Sequence, residues 1–386
     1  MEAPQYIFDH EPTVEEMRAA AVDLMRKALT VEWYTTIEFD TTTSVSHNIF
    51  LANKRYAGIP YNGPNTSLYA FLEYLDPETG RLKGEELTGG VNRDLSTAFD
   101  QALGSSCSGT VGWAILAVCS SVHGLFQSYY MVAQNGWLSL GDYTYDLSTP
   151  SFGKANSTET TDGILAKTGR QKMYQCYALL EPADILVWQN NEKMGHTMMA
   201  VSRATVIRNE DGSINGEKSY VLIQDQRFGG FTYTDPSTKR VYAAQGRVDF
   251  KYTFDRLFQE EYIPMTTAEF QGQKPYTAPE VRMKFGQKLD SPDDLKGAVV
   301  ESNYPMATVA LWAENRETGE RVRLRLHCFT RDEISSGTAK AFEITTFQSA
   351  LARGTRLKQG EYRITVEART PNGQVFIPVE FDFSAS

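Results

Sequence analysis

The chain has 386 residues, of which 41% are hydrophobic and 22% charged, and its net charge is −10 at neutral pH. That length allows two or three domains with sizeable cores, while an acidic balance without a Lys/Arg run argues against nucleic-acid and other polyanionic partners. The apolar runs are too short for a membrane span, and the polar opening Met1-Glu2-Ala3-Pro4-Gln5 is no secretory leader, so an exported form would already have lost its signal.

Thr13-Val14-Glu15-Glu16 reads as a capping box, and Met17, Ala20, Ala21, Leu24, Met25 and Ala28 then recur on one helical face. An amphipathic helix is expected there. Threonine and β-branched residues make Thr35 to Thr43 extended or loop-like, and Ser46 to Tyr56 reads as a short helix. Arg55 to Pro64 is rich in Gly and Pro and holds Tyr56 and Tyr61 in a turn. Helices are expected at Ser67 to Leu75 and Leu95 to Leu103, with breaks at Pro77 to Gly80 and at Gly89-Gly90.

Ser105-Ser106-Cys107-Ser108-Gly109 then delivers a cysteine to the first turn of a helix whose buried stripe is Val111, Ala114, Ile115 and Val118. Unpaired backbone N–H groups and the positive end of the helix dipole favour a thiolate at that place. Leu125 to about Ala183 alternates aromatic and polar residues and reads as an irregular excursion over a cleft. Trp137 within it, together with Trp113 and Trp188, is a candidate for the cleft wall. Strands follow at Asp184 to Trp188, Gly195 to Val201 and Ser219 to Gln226, most economically paired antiparallel. The Gln271 to Pro279 stretch reads as a linker.

Beyond it, Thr308 to Trp312, Val322 to Phe329, Tyr362 to Val366 and Val375 to Phe383 alternate apolar and polar residues between turns, without a long helical stripe, as in a small β-sandwich. The alternation on the second of these strands puts Cys328 in the core and His327 outward, solvated.

Cys107, Cys119, Cys176 and Cys328 make neither a disulfide framework nor a CxxC pair, and the five scattered histidines offer no zinc spacing. A cysteine nucleophile needs a base, and that base needs a polar partner. His196, opening an apolar strand directly after Gly195, is the candidate base. Asp225 shares a face with Val221 and Ile223 at the end of the next strand and is the first choice for the partner, because an acid best supports an imidazolium. Gln224 and Gln226, on the opposite face, are the alternative.

Three blocks, Ser106-Cys107-Ser108-Gly109-Thr110-Val111, Pro182-Ala183-Asp184-Ile185-Leu186-Val187-Trp188 and Gly195-His196-Thr197-Met198-Met199-Ala200-Val201, resemble the NlpC/P60 family of papain-like cysteine peptidases, related to the CHAP amidases. Family members show an Asp-Cys-Ser-Gly turn, a Pro-Gly-Asp strand and a Gly-His strand. This chain has Ser106 in place of that Asp, and longer intervals between the blocks. The resemblance implies an α+β fold with helices packed on an antiparallel sheet over residues 1–272, and the alternating strands beyond it give an Ig-like β-sandwich over 273–386. The resemblance also implies Cys107 as the nucleophile and His196 as the base, with Tyr61 of Gly58-Ile59-Pro60-Tyr61 donating its hydroxyl near the oxyanion. The third member it implies is His, Asn, Gln or an acid on the strand after the histidine, where this chain offers Asp225 or else Gln224 and Gln226. The expected activity is cofactor-independent hydrolysis of amide bonds in peptidoglycan stem peptides, or in other peptides, at the bacterial cell envelope or outside the cell. The β-sandwich is expected to meet a wall polymer or a protein. The alternative is a catalytically idle papain-like protein serving as an envelope binding or adhesion module.

Overall fold

A computed structural model describes residues 2–41, 48–88, 94–123, 125–153, 159–190, 194–227, 232–243, 246–284, 292–352 and 357–385. His47, the Gly89-Gly90 break and the start of the expected 46–56 helix lie outside them. The architecture is mixed, with helices and several antiparallel sheets. Two compact units divide the chain: Met1–Glu2 with Phe8–Thr277, and Ala3–Ile7 with Ala278–Ser386.

In the first unit, helix α1 (Val14–Thr30) starts at the expected capping box, in which the Thr13 hydroxyl accepts the Glu16 N–H and the Glu16 carboxylate accepts the Thr13 N–H at 2.8 Å. Its buried face carries Met17, Ala20, Ala21, Leu24, Met25 and Ala28, and also Arg18. The expected helix before Tyr56 is not found. Its described part forms the short strands Ile49–Phe50 and Arg55–Ala57, the latter paired antiparallel with Glu32–Tyr34. Phe50 and Tyr56 pack on Trp33 with ring centroids 5.1 and 5.3 Å apart, so aromatic burial outweighs local helix propensity.

Helix α2 (Cys107–Leu116) is buried on every side rather than along one stripe. A neighbouring backbone passes so close to Gly112 that a Cβ there would lie 2.8 Å from the Leu125 carbonyl oxygen. The aromatic excursion is more ordered than expected. It contributes strand β1 (Trp137–Ser139), the helix Thr161–Thr168 and helix α3 (Arg170–Tyr177), and it buries Trp137, Tyr143 and Tyr145. Aromatics in a polar setting here serve the core, because tertiary packing supplies the apolar surroundings that the local sequence lacks.

The central sheet adds β2 (Ile185–Gln189), β3 (Gly195–Ala200), β4 (Tyr220–Asp225), β5 (Arg247–Thr253), helix α4 (Phe254–Gln259) and β6 (Ile263–Thr267). Its order is β5-β4-β3-β2-β6-β1, antiparallel throughout. Asp184, just before β2, is fully buried and holds Arg18 of α1 at 2.9 Å while accepting the Thr266 hydroxyl at 2.6 Å. The second block of the resemblance therefore fastens α1 to the sheet.

In the second unit, β7 (Val281–Lys284), β8 (Val299–Ser302) and β11 (Ala341–Glu343) form one antiparallel sheet, ordered β7-β8-β11, whose third strand follows β9 (Thr308–Asn315) and β10 (Arg321–Cys328) in the chain. The second sheet runs β10-β9-β12-β13, with β12 (Gly360–Arg369) and β13 (Val375–Ala385). Val300 of the first sheet and Val309, Leu311, Ile364 and Val366 of the second belong to one apolar cluster, joined by the helix residues Phe347 and Leu351. Their helix, Thr345–Ala352, escaped the sequence reading because it is short. The reading of His327 is also corrected: it is half-buried, stacked on Phe342 at 4.4 Å, and contacts Glu333 at 2.6 Å. Cys328 is only partly buried, because the alternation weakens at the strand end.

Candidate active site

Cys107 opens α2 behind the N-cap Ser106, whose hydroxyl accepts the Gly109 N–H at 3.3 Å. Serine caps as well as aspartate but brings no negative charge beside the sulfur. The chain before the cysteine is zipped to the Pro-Tyr turn: the Ser105 N–H donates to the Pro60 carbonyl at 3.0 Å and the Asn62 N–H to the Ser105 carbonyl at 3.2 Å. That approach requires glycine at Gly104, which has φ +105° and whose added Cβ would sit 2.3 Å from the Asn62 Cβ. Tyr61 thereby reaches Cys107, hydroxyl to Sγ 3.9 Å, although the two are far apart in sequence.

His196 is the second residue of β3, opposite Trp188 in register. Gly195 before it is boxed in: a Cβ would meet the Gln189 Oε1 and the Ser128 Oγ at 2.1 Å each. The His196 Nε2 lies 2.8 Å from the Asp225 Oδ2. With Nε2 so engaged, Nδ1 is the ring nitrogen left for the interaction of His196 with Cys107. Asp225 in turn accepts two N–H bonds from Arg247, Nε to Oδ1 at 2.8 Å and Nη2 to Oδ2 at 2.7 Å. A β-bulge between Arg247 and Phe250 re-aims that arginine toward the end of β4.

These contacts set the charges. Burial pushes the Cys107 thiol up, but the His196 charge, the His196 hydrogen bond, the Thr197 N–H and the Tyr61 hydroxyl together hold it below the ordinary thiol value. Burial would lower His196, yet the sulfur and Asp225 raise it to about 9. Burial likewise opposes the Asp225 charge, and His196 and Arg247 overcome it, keeping the carboxyl below its ordinary value. Burial raises Tyr61, which stays a protonated donor. These directions all favour a thiolate–imidazolium pair backed by a carboxylate. Cys119 and Cys176 differ: burial raises both, the latter to about 11.

The alternative partners lie on the other face of β4. The Gln224 amide donates to the Val22 carbonyl of α1 at 2.9 Å. Gln226 accepts the Thr110 hydroxyl of α2 and donates to the Ile59 carbonyl at 2.7 Å, tying α2 to the Tyr61 turn. Asp225 and Gln226, adjacent in sequence, therefore hold His196 and the helix that carries Cys107 respectively. Of the tryptophans, Trp113 is buried and donates to the Asn65 carbonyl at 2.8 Å, and Trp137 is fully buried. Both are core residues rather than cleft walls. Trp188, half-buried beside His196, lines a surface cavity. Sequence reasoning missed Arg247, whose only sequence signal was a cation following the strand that ends in Asp225.

The chain matches no protein-family model and no curated protein. Among the described residues, no His/Cys/Asp/Glu group is arranged to hold a metal ion and no helix is long and apolar enough to cross a membrane.

Proposed function

We propose that the first unit is a papain-like cysteine hydrolase that cleaves amide bonds, and that the second is an Ig-like β-sandwich serving it as a binding module. One observation carries this reading: the His196 imidazole, whose charge lowers the Cys107 thiol, is held at 2.8 Å by a buried, doubly anchored carboxylate. A core cysteine has no use for such a chain of charges.

In this reading the Cys107 thiolate attacks the amide carbonyl carbon, and the resulting oxyanion is met by the Cys107 backbone N–H and the Tyr61 hydroxyl. His196 passes its Nδ1 proton to the leaving amine as the carbon–nitrogen bond breaks, leaving a thioester. Water then attacks the thioester, His196 takes its proton, and the departing thiolate restores the ion pair as the carboxylic acid leaves. The motif resemblance supplies the substrate class, peptidoglycan stem peptides, and with it a place at the bacterial envelope or beyond.

A second reading, the idle binding module, is favoured by the low exposure of Cys107, 5%. Digestion of purified peptidoglycan, with products identified by mass spectrometry, separates the two. Fragments released by the parent protein and absent with Cys107→Ala and His196→Ala are expected. Identical fragments from all three proteins refute the catalytic assignment.

A further inference from the structure

A cavity of about 310 Å³ opens beside the base, lined by Trp188, Arg227, Gln259, Glu260, Glu261 and Tyr262. It adjoins the site on three counts. Trp188 is the cross-strand partner of His196, the Tyr262 ring lies 6.4 Å from the imidazole, and the Arg227 Nε lies 3.7 Å from the Asp225 Oδ2. A general acid must stand next to the amine it protonates, so the imidazole side of the scissile bond is the leaving-group side. The cavity therefore lies where the amine-side residue of a substrate would go.

Its charges select among such residues. Glu260 is already neutralised, with Arg256 at 2.7 Å and the Tyr252 hydroxyl at 2.6 Å. Glu261, held at φ +62°, accepts the Trp188 indole N–H at 3.2 Å. Arg227 is half-exposed, and its one ion pair among the described residues is the long contact to Asp225, whose oxygens are already taken by His196 and Arg247. Its guanidinium keeps N–H donors for a ligand carboxylate, which it can grip through two parallel bonds. Glu261 opposes a free inorganic anion but suits a residue that carries N–H groups as well.

Resting on the hydrolase reading, the geometry points to this cavity as an amine-side subsite that binds a residue bearing a carboxylate through Arg227. The carboxylate is either the terminal one or that of a side chain. The test is an NMR titration of the full chain carrying Cys107→Ala, which removes turnover. Three peptides serve as probes: acetyl-alanyl-alanine, with a terminal carboxylate; acetyl-alanyl-aspartate amide, with a side-chain carboxylate; and acetyl-alanyl-alanine amide, with neither. One acid peptide is expected to bind at least tenfold tighter than the neutral one, and which of them does so identifies the source of the carboxylate. Adding Arg227→Met should bring the acid peptide to the affinity of the neutral one, and Arg227→Lys should restore part of the preference. Equal binding of all three peptides, or a preference that survives Arg227→Met in a protein with parental thermal unfolding, overturns the assignment. Failure of the hydrolase reading shows separately, as a lack of Cys107-dependent turnover by the parent protein on any of these peptides or on peptidoglycan.

Discussion

Replacing Asp225 by Asn probes the whole charge chain at once. Asp225 is fully buried and accepts three N–H bonds, from His196 at 2.8 Å and from Arg247 at 2.8 and 2.7 Å. An amide offers one acceptor oxygen and turns N–H groups toward donors that need acceptors. It also leaves the Arg247 guanidinium, whose side chain is 16% exposed, without its counter-ion. Removing one partner of a buried pair costs about 3–5 kcal/mol, and the partial exposure of Arg247 places this case at about 3 kcal/mol. Turnover should fall by about 10²–10⁴-fold, because the imidazolium loses both its support and its fixed orientation. Chemical denaturation measures the first effect, and hydrolysis of the Cys107-dependent substrate the second. The double variant Asp225→Asn/Arg247→Met no longer strands a cation, so it should recover about 2 kcal/mol of stability while regaining no activity. If Asp225→Asn unfolds within about 0.5 kcal/mol of the parent, or if the two substitutions are simply additive, the clamp is not what holds this site.

The ion pair predicts a pH profile. Cys107 should be alkylated by iodoacetamide at pH 6–7 about 100-fold faster than Cys119 or Cys176, whose thiols burial keeps protonated, and comparable rates would contradict the pairing. Hydrolysis should fall on the acid side as the thiolate is protonated, and again as pH rises through about 9, where His196 loses the proton it gives to the leaving amine. The raised His196 contributes stability that is fully present below about 6.5 and lost as pH rises through about 9. Denaturation across pH 6–10 should show that slope in the parent protein and lose it in His196→Gln. Tyr61→Phe should lower kcat by about 10²-fold while leaving Cys107 reactive, and an unchanged kcat would remove Tyr61 from the oxyanion site. Ala183 is held at φ +69°, a conformation that costs an L-residue about 1–2 kcal/mol, so Ala183→Gly should stabilise the fold by about 0.5–1 kcal/mol after the entropic cost of glycine. A lowered Tm would refute that account.

Local chemistry made much of the chain legible. The capping box at Thr13, the strands around Ile185 and Met198, the alternating strands of the second unit and the placement of Cys107 at a helix start all depend on neighbours within a few residues. Where distant residues supply the environment, local reading failed. Phe50 and Tyr56 became strand residues because Trp33 lay ready to pack on them, and Trp137 went into the core although its own segment is polar. His327 met Phe342 and Glu333 from later elements and was drawn half inside.

The sequence alone determined which atoms could do chemistry: a thiol at a helix N-terminus, an imidazole behind a glycine, and polar residues closing the next strand. Period-two alternation even separated Asp225 from Gln224 and Gln226, because it sends adjacent side chains to opposite faces. Which face meets the imidazole is a property of the packed sheet, and only the tertiary structure decided it. The same holds for Arg247, which a bulge carries to Asp225, and for Arg227, which stands beside the base at the rim of a cavity. Distances of 2.7–2.8 Å between residues separated by 20 or more positions arise from strand pairing and core packing, which no local pattern encodes.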